Sequence, residues 1–106
     1  MDGDTRLRSA ALFSSMGHPT RLRIVELLIN EELSVGDICA RLELGQSSAS
    51  QHLAALFRSG VLSVTPRGTS RLYKVRGIRI ANILKLIEEF CDIQGLKGEP
   101  DESDNS

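Results

Sequence analysis

The sequence predicts a mainly α-helical domain that carries one small β-hairpin. Apolar residues recur at helical spacing along most of the chain, and one stretch, residues 61–75, instead holds two short apolar runs around the turn sequence Pro66–Thr69. A length of 106 residues indicates one domain. We assign that domain to residues 1–94, and we expect residues 95–106, rich in Gly, Glu, Asp and Ser, to form an acidic disordered tail.

Two helices are predicted at the start of the chain, on either side of a break at residues 17–19. The first covers residues 5–16. Pro19 suits the first turn of the second helix, because its missing N–H has no intrahelical partner there. The apolar stripe of this second helix runs from Leu22 to Ile29. Residues 30–33 are predicted to form a turn.

Two further helices follow, and a tight turn joins them. The third helix is predicted over Val35–Leu42, with Ser34 as its N-cap in the manner of a capping box. The fourth is predicted over about Gln46–Arg58, after Gly45, which is an acceptable N-cap. Its apolar positions follow helical spacing and are expected to face the core: Ala49, Leu53 and Leu56.

A hairpin and a last helix complete the predicted order α1-α2-α3-α4-β-β-α5. The strands are placed at residues 61–65 and 70–75, with Pro66–Thr69 as the tip, and Gly60 is expected to end the fourth helix. The last helix, residues 78–93, is apolar on more than one side. A single small domain rarely buries so wide a face alone, so we expect a contact between two subunits.

The charges of the chain are unevenly distributed. The net charge is −1, yet the stretch from Leu44 to Lys85 contains no acidic residue, and seven of the 14 acids of the chain follow residue 86. An acid-free basic stretch is the electrostatic footprint expected of a phosphate-binding surface. Its basic residues are Arg58, Arg67, Arg71, Lys74, Arg76, Arg79 and Lys85.

Two short helices joined by a tight turn and followed by a basic hairpin form a winged helix-turn-helix. In that arrangement the second helix lies in the major groove of double-stranded DNA, and its N-terminal residues reach the base edges. Gln51 can pair with adenine, and arginines of the wing can meet phosphates or enter a minor groove. The predicted DNA-binding residues are Gln46, Ser47, Ser48, Ser50, Gln51, His52, Arg67 and Arg71.

Three segments of the chain resemble the ArsR/SmtB family of repressors. They are Met16–Ile24, Glu32–Leu42 and Gln46–Leu53, together with Leu56 and Gly60–Leu62, and the resemblance extends over about residues 10–92. It implies a homodimer paired through the first and last helices. It also implies a repressor that occupies an inverted-repeat operator until an inducer weakens its binding.

The metal-binding positions of that family are not matched here. Many members bind metal through cysteines of the third helix, where this chain has Ser34 and Gly36. Others use Asp and His on the last helix, but residues 76–84 contain neither His nor a carboxylate. Since a metal site needs several ligands at compatible spacing, we expect no metal and no other cofactor.

Two cysteines leave a redox function open. Another branch of the family senses oxidants or reactive sulfur through an early and a late cysteine, and Cys91 resembles the late one. Cys39 lies in the third helix, however, whereas that branch has its early cysteine in the second. Both lie on apolar stripes, so a thiol switch and inert packing remain alternatives.

Other function classes are less well supported by the sequence. It shows no phosphate-binding glycine loop, nucleophile elbow or recognisable His/carboxylate set, so we do not expect an enzyme. No apolar run approaches the roughly 20 residues that span a bilayer, and a cytoplasmic protein is expected. The main alternative to a DNA-binding regulator is a winged helix that docks other proteins, because fold does not determine function. We expect His18, beside a helix start, to make a structural hydrogen bond.

Overall fold

A computed structural model describes residues 1–93, and these form five α-helices and a small antiparallel sheet. The predicted fold class is confirmed. The predicted tail, residues 95–106, lies outside the described residues, as does residue 94. The elements are α1 (Gly3–Met16), α2 (Pro19–Asn30), β1 (Leu33–Ser34), α3 (Val35–Leu42), α4 (Gln46–Arg58), β2 (Leu62–Arg67), β3 (Ser70–Val75) and α5 (Ile78–Ile93).

The sheet has three strands instead of the predicted two. Leu33, which we expected to belong to a turn, and Ser34, the predicted N-cap of α3, form β1 and pair antiparallel with Tyr73 and Leu72 of β3. The strand order is β1-β3-β2. The prediction was wrong because a strand of two residues is too short to show any periodicity, and because it forms only where the free edge of β3 offers backbone partners.

The hairpin is longer and its turn tighter than predicted. Pro66 and Arg67, which we placed in the tip, continue β2 and pair with Arg71 and Ser70. The turn is reduced to two residues and includes Gly68, whose φ of +61° suits a glycine. Pro66 is accommodated because β2 lies at the edge of the sheet, where a missing N–H costs little.

Capping residues explain where the helices begin. α1 starts two residues before the predicted position, because the Asp2 carboxylate accepts a hydrogen bond of 2.7 Å from the N–H of Thr5. That bond also lowers the pKa of Asp2. The Ser34 hydroxyl oxygen accepts from the N–H of Asp37 at 3.2 Å, as expected of the N-cap of α3. Gly60 follows α4 with a φ of +89°, in agreement with its predicted role.

The core lies between α2, α3, α4 and the start of β2. The inward stripe predicted for α4 is confirmed, because Ala49, Leu53 and Leu56 are at most 1% exposed. The other fully buried apolar residues are Ile24, Val25, Leu28, Ile38, Val61 and Leu62.

The first and last helices keep much apolar surface exposed. α5 has no fully buried residue, and Leu86 and Phe90 on it are more than half exposed, as are Leu7 and Phe13 on α1. Within residues 1–93 no helix combines the length and the apolar character needed to cross a bilayer.

Candidate nucleic-acid interface

The polar face of α4 is exposed along the N-terminal half of the helix. Burial of the opposite, apolar stripe fixes the rotation of the helix, so the predicted contact residues are turned away from the core. The first turn contains no acid, and Gly45 caps the helix without a side chain. Its first backbone N–H groups and the positive end of its dipole therefore carry no neutralising group. The exposed residues are Gln46, Ser47, Ser48, Ser50 and Gln51.

The wing presents its two arginines to solvent. Arg67 ends β2 and Arg71 lies on β3 opposite Pro66, and both are exposed. Within residues 1–93 the ion pairs are Arg8 with Asp4 and Arg41 with Glu31, so neither wing arginine is neutralised by a carboxylate there. Unneutralised guanidinium groups on an exposed hairpin are suited to phosphate oxygens.

A cleft brings α4 and the wing together. It has a volume of about 350 Å³, and both Ser50 of α4 and Arg71 of β3 line it. The remaining lining is mostly apolar: Leu53, Ala54, Phe57, Val64, Pro66 and Tyr73. One surface therefore combines the polar face of the helix with a cation of the wing.

His52 differs from the other residues of this face because it is half-buried. Its Nδ1 accepts a hydrogen bond of 3.1 Å from Nε of Arg21, and its ring lies 4.7 Å from the ring of His18, centre to centre. Burial, and then the charges of His18 and Arg21, lower the pKa of His52. A DNA contact by His52 stays a prediction. The structure shows in addition that His52 accepts a hydrogen bond from Arg21 within the protein.

Arg21 is a residue that the sequence analysis missed. It lies on α2, 31 positions before its partner His52, and its Nη1 also donates to the carbonyl oxygen of Ser15 at 3.3 Å. No local pattern signals a contact over that separation. The structural role predicted for His18 is confirmed, since its Nδ1 accepts from the N–H of Thr20 at 3.2 Å and caps α2.

The two cysteines are free thiols on different helices. Cys39 lies on α3 and Cys91 on α5, and both are half-buried. A redox switch therefore stays a prediction. In the part of the chain that the structure describes, His, Cys, Asp and Glu residues form no group of three that could hold a metal ion.

The chain matches known regulators in sequence. Residues 18–64 match the model of the bacterial regulatory protein family arsR. The transcriptional activator HlyU of Vibrio cholerae is 34% identical over 85 residues, which cover 79% of each chain. The transcriptional repressor PagR of Bacillus anthracis is 38% identical over 79 residues, which cover 74% of this chain and 79% of that protein.

Solved structures agree with these sequence matches. The structure of HlyU from Vibrio cholerae superimposes with a TM-score of 0.74 at 31% identity, over 85% of this chain and 97% of that one. A homodimeric winged helix-turn-helix DNA-binding domain of Mycobacterium bovis gives a TM-score of 0.79 at 24% identity, over 95% and 94% of the two chains, a likeness that shows the fold. The predicted family and function class are confirmed: this chain belongs to the arsR family of bacterial regulatory proteins.

Proposed function

We propose that the chain is a dimeric, sequence-specific DNA-binding protein that represses transcription by occupying an operator. One observation carries the proposal: the exposed polar face of α4 and Arg71 of the wing share one surface. Residues 44–85, which contain both elements, have no acid that would repel the phosphate backbone.

The N-terminal half of α4 would read the bases. Its exposed side chains are short, apart from those of Gln46 and Gln51, so the helix can approach the floor of the major groove closely. The Gln51 amide can donate to N7 of adenine and accept from N6, a bidentate contact worth about 1–3 kcal/mol of discrimination. Ser47 and Ser48 can bond to base edges or to phosphates.

The wing would supply affinity that depends little on sequence. Each guanidinium that meets a phosphate releases condensed counterions, so binding weakens steeply as salt rises. Arg67 and Arg71 are the groups assigned to this role, since they are exposed and lie outside the ion pairs of residues 1–93.

A homodimer would place two copies of α4, the recognition helix, on one operator. The exposed apolar faces of α1 and α5 support it, together with an apolar groove of about 270 Å³ between α1, α2 and α5 that Phe13, Ile83 and Ile87 help to line. The homodimeric state of the Mycobacterium bovis domain points the same way. Twofold symmetry would require an inverted repeat with half-sites about one or two helical turns apart.

Repression by occupancy needs a signal that releases the protein from the operator. That signal is either an inducer or oxidation of thiols, and we assign the oxidation to Cys39 and Cys91. Both thiols are half-buried: Cys39 lies on α3, which precedes α4, and Cys91 lies on α5. Oxidation at either position would alter packing near the recognition helix or near the proposed dimer surface. A persulfide donor should abolish operator binding by the wild type. If a Cys39→Ser or Cys91→Ser variant still binds the operator in its presence, the replaced thiol is the responsible one.

The site supports binding rather than catalysis, and the proposed place of action is the cytoplasm, where bacterial DNA lies. HlyU carries the name of an activator and PagR that of a repressor, so relatives regulate in both directions. A run-off transcription assay with and without the protein decides the direction here. A fall in transcript supports repression, and a rise establishes activation.

Fluorescence anisotropy tests DNA binding directly. The purified, reduced protein is titrated into labelled DNA from upstream of its own gene, and into a shuffled sequence of equal composition, between 50 and 200 mM salt. We expect specific binding, with a steep fall in affinity as salt rises. Equal affinity for both DNAs, or no binding to either, would contradict the proposal and favour a winged helix that docks proteins.

A further inference from the structure

Four polar residues connect α4 to the end of α1. The hydroxyl oxygens of Ser15 and Ser59 lie 2.8 Å apart, and Arg21 joins the Ser15 carbonyl oxygen at 3.3 Å to His52 Nδ1 at 3.1 Å. Ser15 is only 8% exposed. Ser15 of α1 is therefore connected to the recognition helix at two points. Arg21 links it to His52 in the middle of α4, and Ser59 contacts it directly at the C-terminal end of α4.

We infer that Arg21 positions the recognition helix by acting through His52, and that protonation of His52 at Nδ1 releases this hold. The inference rests on the proposed DNA-binding function, because its consequence is a change in operator affinity. It assigns to α2 a residue that controls recognition without touching the DNA.

Arg21 selects one tautomer of His52. A guanidinium donates hydrogen bonds and accepts none, and it keeps its proton at every pH a folded protein meets. The Nδ1 atom that accepts from Arg21 must therefore be unprotonated, so the proton of the neutral ring is on Nε2. The arginine thus fixes both the orientation of the ring and the identity of its donor atom.

A second proton cannot be added without breaking the contact. When Nδ1 takes a proton from solvent, a new N–H bond uses the lone pair that accepted from Arg21, and two cations then face each other. The charged or titratable groups that act on His52 are His18, the N-cap of α2, and Arg21 on α2, and no carboxylate of residues 1–93 is among them. The neutral ring is the form that the fold holds.

The direction of the pH effect follows from this environment. Burial, the neighbouring His18 and Arg21 lower the pKa of His52 from its ordinary 6.5. A base with a lowered pKa in the folded protein contributes stability above its ordinary pKa, and that contribution is lost as pH falls through the lowered value. Because protonation of His52 also releases the hold of Arg21 on α4, operator affinity should fall as the pH is lowered.

Three variants separate His52 from other titrating groups. His52→Asn keeps an acceptor oxygen near the position of Nδ1 but does not titrate, and Arg21→Ala removes the donor. His18→Asn removes the neighbouring histidine and keeps a good N-cap, so it should retain the fall in affinity, displaced to higher pH because one cause of the lowered pKa of His52 is gone. If Arg21→Ala does not fold, Arg21→Lys, which lacks the planar fork that reaches both partners, replaces it.

Operator affinity is measured from pH 8.0 to 5.5 at constant ionic strength. For the wild type we expect a fall that steepens toward the acidic end and does not exceed about tenfold per pH unit per subunit, since one proton is linked to each His52. His52→Asn and Arg21→Ala should lose this component, and Arg21→Ala should also bind more weakly at pH 8.0. A His52→Asn profile parallel to the wild type would overturn the inference, as would an Arg21→Ala variant with unchanged affinity and slope.

A measurement without DNA separates this inference from the proposed function. Nitrogen chemical shifts of the imidazoles report the tautomer of each histidine, and at pH 8.0 we expect His52 to carry its proton on Nε2 in the wild type. Both tautomers should appear in Arg21→Ala. A mixture already present in the wild type would overturn the inference. Absence of specific operator binding by the wild type would instead overturn the proposed DNA-binding function. The chemical shifts would still test the hydrogen bond between Arg21 and His52.

Discussion

The hydroxyl oxygens of Ser15 and Ser59 lie 2.8 Å apart, so the buried end of α1 meets the residue that caps α4. The Ser59 hydroxyl donates to the carbonyl oxygen of Leu56 and accepts from Ser15, whose single proton can alternatively go to the carbonyl oxygen of Leu12. The pair therefore satisfies its polar groups in a place with little access to water, and it fixes the distance between α1 and the recognition helix.

Replacing Ser15 by Ala should lower the free energy of unfolding by about 1 kcal/mol, because the Ser59 hydroxyl loses one buried partner. Ser14→Ala is the matched control, since Ser14 precedes it on α1 and is exposed. Urea unfolding at one fixed protein concentration measures both variants. Equal stability of the two would mean that the Ser15–Ser59 contact contributes nothing.

Two glycines should respond to Ala with opposite signs. Gly60 has a φ of +89°, so Gly60→Ala should destabilise the fold by about 1–2 kcal/mol through strain in the left-handed region. Gly36 lies in the first turn of α3 with room for a Cβ, so Gly36→Ala should stabilise by about 0.5–1 kcal/mol. Thermal unfolding of both variants checks the pair, and a destabilised Gly36→Ala would contradict the argument from helix propensity.

Changing Gln51 to Ala should reduce discrimination between the operator and shuffled DNA by about 1–3 kcal/mol per lost bidentate contact. Gln51 is exposed on α4, so the fold should not change. The affinity of the same variant for shuffled DNA is the internal control, and it should stay near the wild-type value. Undiminished discrimination would show that Gln51 does not read a base.

Changing Arg71 to Ala should weaken binding to operator and shuffled DNA alike. It should also flatten the dependence of log affinity on log salt by about one unit per subunit, as expected for one lost phosphate contact. Arg8→Ala removes the same charge from α1, where Arg8 pairs with Asp4 at the surface, and should leave the slope unchanged. An Arg71→Ala slope equal to that of the wild type would exclude the phosphate role.

Changing Ile83 to Glu should separate the proposed dimer. Ile83 is half-buried beside the apolar groove between α1, α2 and α5, and a carboxylate buried there by a second subunit would lack a partner. Asn82→Glu introduces the same charge at the adjacent, exposed position. Light scattering at several concentrations measures the molar mass. A dimer mass retained by Ile83→Glu would place the interface elsewhere.

Features that depend on local chemistry were predictable from the sequence. The bounds of α3, α4, β3 and α5 agree with the predictions, because apolar periodicity and turn residues report on a few neighbouring positions. The same holds for the inward stripe of α4 and hence for its exposed polar face. The candidate DNA-binding face thus follows from spacing alone, apart from the half-buried state of His52.

What the sequence determined by itself is the set of helices, the hairpin and the face that α4 turns to solvent. Only the tertiary structure decided that Leu33 and Ser34 form a strand against β3, that Arg21 holds His52 from 31 residues away, and that Ser15 meets Ser59 across 44. The physical reason is that such contacts depend on where packed helices bring distant residues. Periodicity along the chain records which side of a helix is buried, but not which residue it meets there.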